Sequence, residues 1–77
     1  MTQEQKEKIE KAYNEVYDEL NELDHKEQER RLTHREWETH RTLLCEMDGM
    51  DNVLYHLDLW AVYDPKERRI VIRPLGE

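Results

Sequence analysis

Ile9, Tyr13, Val16, Leu20 and Leu23 follow one another at intervals of four, three, four and three residues. Apolar positions in that alternation line one face of an α-helix and make a coiled-coil-like seam. Ala12 and Tyr17 broaden it. Thr2 followed by Gln5 supplies a capping box, in which each side chain satisfies a backbone N–H left free at a helix start. No Gly, Pro or strand-like alternation interrupts residues 3–29, so the pattern predicts a helix over about 3–30. The seam ends at Leu23, and Lys26 to Arg31 contains no apolar residue, so the last turns are expected to be solvated.

The same spacing returns in Leu43, Met47, Met50, Leu54 and Leu57, with Trp37, Leu44 and Val53 beside it. Thr33 and Glu36 form a second capping box. Leu32 and Trp37 stand at the two positions of a hydrophobic staple. Gly49 falls inside this stretch, where it costs about 1 kcal/mol against alanine. Because the seam keeps its phase across it, the pattern predicts one helix over about 34–58, continuous or kinked at Gly49. The alternative is a break, with Asp51 capping a further helix.

After Leu59 the periodicity changes. Trp60-Ala61-Val62-Tyr63 is rich in strand formers, Asp64-Pro65-Lys66-Glu67 suits a type I turn, and Arg68 to Arg73 reads as a second strand stopped by Pro74. Alternation puts Ile70 and Ile72 on one face and Val71 on the other with Arg69 and Arg73. The expected fold is mainly α: a long antiparallel helical hairpin and a short C-terminal β-hairpin over about 60–73, in a single domain spanning 1–77. A lone two-stranded hairpin is marginal in water, so its apolar face must rest on the helices or on a partner. So regular a seam with so little other core favours a symmetric homodimer making a four-helix bundle. The alternative is a monomer whose hairpin folds back over both helices. Of the aromatic residues, Tyr13 and Tyr17 with Trp37, Tyr55, Trp60 and Tyr63, most are expected in the core or seam. The hydroxyl of Tyr13 needs a partner there.

Charge adds a second layer. Forty per cent of the 77 residues are charged and 36% apolar, with 12 Lys and Arg against 19 Asp and Glu, a formal net charge of −7. Residues 1–29 hold ten acids and four lysines, a net of −6, and residues 30–77 only −1. Such a field repels nucleic acid and anionic membrane and favours a basic partner surface. No apolar run approaches the ~20 residues of a membrane span. No apolar segment follows a basic amino terminus and Cys45 is the lone thiol, which favours an intracellular, cytoplasmic setting.

Catalytic and metal chemistry finds little footing. His34 and His40 are six residues apart, too far round a helix to share an ion, and Glu22-x-x-His25 occurs once where di-iron helices need it twice. Cys45 follows Leu43 and Leu44 without an orienting base, so it is expected to behave as a small hydrophobe. Gly49 and Gly76, the two glycines, make no phosphate loop. Arg30, Arg31 and Arg35 sit where cations complement the end of the first helix. The expectation is no enzyme activity, no cofactor and no metal.

What remains is binding. Glu4, Glu7, Glu15, Asp18, Glu19 and Glu22 form a row of carboxylates on a stiff helix, able to imitate phosphate charge. The expected function is therefore a non-catalytic inhibitor that covers the basic, nucleic-acid-binding surface of a partner such as a nuclease or toxin. Small acidic proteins that block phage-defence nucleases, anti-CRISPR proteins among them, and acidic antitoxins work this way. The comparison rests on size and charge, and it implies a phage or mobile-element setting. The alternative is a dimeric adaptor offering the Arg68–Arg73 strand as an open edge. Arg69 and Arg73 are the hairpin's candidate contact residues.

Overall fold

The computed structural model describes residues 2–76 and contains helix α1 (Gln3–Glu29), helix α2 (His34–His56) and strands β1 (Leu59–Asp64) and β2 (Arg69–Pro74). The chain is a helical hairpin followed by a two-stranded antiparallel β-hairpin, as the periodicities predict. Both capping boxes form. The Gln5 N–H donates to Thr2 Oγ1 at 3.1 Å and the Thr2 N–H to Gln5 Oε1 at 3.0 Å. Thr33 and Glu36 do the same at 3.2 and 2.9 Å. Neither helix is long and apolar enough to cross a membrane.

Between the helices, Val16, Leu20, Leu23 and Leu43 form a buried cluster with Met47 and Met50 against it. The seam thus lies where its spacing put it, except that Leu57, expected at its end, is 49% exposed. Gly49 sits inside a continuous α2. The helix ends two residues early, because Leu57 caps it and Asp58 takes a left-handed conformation with φ 59°. A residue in that conformation reverses the chain and closes the last turn. The Leu75 N–H then donates to the Asp58 carbonyl at 2.9 Å, tying the end of β2 to the end of α2.

The hairpin pairs Asp64 with Arg69 at the turn and Leu59 with Pro74 at the open end. The Lys66 N–H donates to Asp64 Oδ1 at 2.9 Å. Arg68, at φ 56°, closes the loop with its N–H on the Asp64 carbonyl at 2.8 Å. The turn is therefore one residue longer than expected. Ile70 and Ile72 share a face, but Val71 on the other is also buried. Arg73 accounts for this: its Nη2 reaches Asp64 Oδ2 at 3.1 Å, and the Val62–Val71 pair lies between their positions in the register. The bridge therefore spans that pair on its own face of the hairpin.

The connection between helices is held by one carboxylate. Glu36 accepts Arg30 Nη1 at 2.8 Å and Nη2 at 2.9 Å in addition to the Thr33 N–H. Those bonds, Arg30 first and Thr33 next, pull the Glu36 carboxyl down from its ordinary 4.5 to about 2. Its ionised form is thus favoured by folding, so the stabilisation is complete above about pH 4.5 and is lost as pH falls towards 2. Asp64 is shifted down as well, chiefly by the Lys66 N–H, and acts in the same direction. We expect Glu36→Gln to lower stability at pH 7, and the gap to wild type to close as pH falls to about 2. Urea midpoints at several pH values measure it; a gap that stays constant with pH would refute the assignment.

Candidate interaction surfaces

Six acidic candidates were expected on α1, and the structure distributes them around the outer half of the helix. Glu7 and Asp18 border a shallow depression shared with Arg68 and Arg69 of the hairpin. Glu15 and Glu19 lie on the other flank, beside Arg35, Thr39 and Glu46. Glu4 and Glu22 pair with Lys8 and Lys26, each at 3.8 Å and well exposed. Among the described residues, Glu7, Glu15, Asp18 and Glu19 have no cation within 4.0 Å, and the last three stand closest together. The dense part of the row is therefore Glu15 to Glu22.

Glu10 behaves differently from the other acids of this helix. It is 8% exposed, and its Oε1 accepts the buried Ile72 N–H at 2.9 Å while Oε2 accepts Arg69 Nη1 at 3.1 Å. One turn on, Asn14 Oδ1 accepts the Ile70 N–H at 2.7 Å and Asn14 Nδ2 donates to the Ile70 carbonyl at 2.9 Å. Two side chains of α1 thus do the work of a third strand along the outer edge of β2. The expected open edge of the Arg68–Arg73 strand is consequently closed.

Because Ile70 and Ile72 turn their backbone groups outwards, their partners Tyr63 and Ala61 must do the same on β1. The edge left over is that of β1. It faces a groove of about 570 Å³ against α2, lined by Asp48, Asp51, Tyr55, Trp60 and Ala61 among others. Tyr13 lies at the same place, and burial, helped by the carboxylates of Asp51 and Asp48, raises its hydroxyl above its usual range. Arg69 and Arg73, the hairpin candidates, are engaged internally, Arg69 by Glu10 and Glu67 and Arg73 by Asp64.

Other expectations are corrected by the same geometry. Cys45 is exposed, not packed as a small hydrophobe. It lies two residues after buried Leu43, about 200° round the helix, which turns it away from the seam. Trp37, Tyr55, Trp60 and Tyr63 are 43–66% exposed, so most of the aromatic residues lie outside the core. Tyr13 is buried, and Tyr17 is half-buried with its ring 6.2 Å from that of Tyr63. His40 reaches Asp24 at 3.3 Å and His34 reaches Glu38 at 2.9 Å, and among the described residues no group of His, Cys, Asp or Glu is placed to hold a metal ion. Compared with known proteins, the chain matches no protein-family model, no curated protein and no solved structure.

Proposed function

We propose that the protein is a non-catalytic inhibitor whose α1 surface, centred on Glu15, Asp18, Glu19 and Glu22, covers a basic, nucleic-acid-binding surface of another protein. The observation carrying this reading is the run of four carboxylates in two turns of one rigid helix, three of them without a cation. From Glu15 to Glu22 the axial rise is about 10.5 Å, or one charge per ~3.5 Å. A nucleic-acid strand carries about one per 3.4 Å. Over the whole helix the net −6 spreads across ~40 Å, so the likeness is confined to this stretch. Like charges three and four apart cost a few tenths of a kcal/mol each. A face built only for solubility would alternate them with lysine, as Glu4–Lys8 and Glu22–Lys26 do. Anti-defence inhibitors, anti-CRISPR proteins included, and antitoxins are the classes this chemistry suits, with a nuclease or toxin as partner and the cytoplasm as setting.

The test is capture from native lysate by wild type and by the Asp18→Lys/Glu19→Lys/Glu22→Lys variant. A partner that fits is basic, is displaced by duplex DNA, and is lost to the variant. Raising salt from about 50 mM to about 300 mM should weaken its binding by about tenfold or more. Partners retained by the variant and indifferent to DNA would sink the reading. The outward backbone of Ala61 and Tyr63 favours a second one, an adaptor that takes an extended segment of its partner along β1. Binding of that kind should survive both the salt and the charge reversal.

A further inference from the structure

We propose that the protein forms a two-fold symmetric dimer through the groove between α1 and α2 on the side away from the β-hairpin. The hairpin covers one side of the helix pair, where Glu10, Asn14, Tyr13 and Tyr17 lie. Helical spacing puts Ala12 and Glu15 on the opposite flank of the Ile9–Val16 seam. There an apolar groove of about 660 Å³ runs along Ile9, Ala12, Val16, Met50, Val53 and Leu54. It continues past Ile9 to Leu57, and Val53 and Leu57 are 55% and 49% exposed.

What identifies the occupant as a second copy is the charge at the two ends. Lys8 stands at one end, and Glu15 and Glu46 stand at the other. In an isologous interface, residue i of one copy meets j of the other while j meets i. Lys8 is four residues before Ala12 and Glu15 three after it. A two-fold axis over Ala12 and Gly49 therefore lays α1 of each copy across α2 of the other and brings Lys8 to the acidic end, nearest Glu46. Among the described residues, Lys8 is held in its own chain only by Glu4, at 3.8 Å with both side chains at least 77% exposed, and such a pair is given up at little cost. Gly49 suits the axis, because a Cβ built there meets nothing within 4 Å. The site leaves room for a second helix to come close.

The dimer shares only Glu15 with the charge-mimic surface, since Asp18, Glu19 and Glu22 lie outside the groove, so reversing those three charges tests the mimic without touching the dimer. Sedimentation equilibrium over about 1–100 μM reads it directly, with a species of twice 9.5 kDa expected. Val53→Glu places a carboxylate beside the other copy's Glu15 and should weaken the dimer by more than tenfold. Lys8→Glu should weaken it too, and the Lys8→Glu/Glu15→Lys/Glu46→Lys variant should restore it, with circular dichroism confirming the helices in each. A wild type that stays monomeric across this range overturns the proposal. So does a dimer that tolerates Val53→Glu or Lys8→Glu, or one that the charge exchange fails to rescue.

Discussion

Asn14→Leu is expected to detach the β-hairpin from the helices. The change preserves size but removes both the acceptor for the Ile70 N–H and the donor to the Ile70 carbonyl. Ile70 is 5% exposed, so water cannot readily replace either bond. A buried backbone group left unpaired costs about 1–3 kcal/mol, and two such groups together roughly 2–4 kcal/mol once local adjustment is allowed. Against a total of about 4–12 kcal/mol for a domain of this length, that is a large fraction. The measurement is a lowered urea midpoint together with faster hydrogen exchange at Ile70 and Ile72. The amides of Leu20 and Leu43, in the helix–helix cluster, should exchange at rates that follow only the global loss. Unchanged protection at Ile70 would mean that the asparagine does not hold the strand.

That site also marks the limit of what could be read from the chain. Both helices, their capping boxes and the seam follow from residues within four positions of one another, where spacing alone decides which side chains share a face. The two strands were legible for the same reason. Glu10 and Asn14 were not, because their partners lie 56 to 62 residues away. The available hint was physical: a two-stranded hairpin cannot stand alone, so something had to cover its edge. It lay on the flank of the seam, four residues apart and next to Tyr13, yet two polar residues on a helix look like any other solvated pair.

The acidic row was read correctly as a composition and too simply as a surface. Glu4 and Glu22 have lysine partners, and the other four acids of the row divide between two flanks of the helix. Arg30 was assigned to the end of α1 by helix-dipole reasoning, whereas its fork grips Glu36 across the turn. A pairing that spans two elements depends on how the chain turns, and the turn residues Arg31 and Leu32 carry no glycine or proline to announce it. Tyr13 is the opposite case. Its hydroxyl needed a polar neighbour, and the carboxylates of Asp48 and Asp51 on α2 are there.

Leu54→Ala should be the most destabilising single truncation in the chain, and Val53→Ala beside it nearly silent. Leu54 is wholly inaccessible to solvent and lies in the last turn of α2, just before the chain enters β1. Removing its isopropyl group leaves a cavity that the helices cannot close without moving the strands, for a loss of about 2–5 kcal/mol. Val53 is 55% exposed, so its truncation removes little buried surface and should cost less than about 0.5 kcal/mol in dilute solution. The comparison also bears on assembly. Repeated at concentrations where two copies associate, Val53→Ala should lose stability relative to wild type as protein concentration rises, because only the associated form buries that side chain. Leu54→Ala should show the same deficit at every concentration. Equal effects of the two substitutions in dilute solution would contradict the packing of α2 against the hairpin.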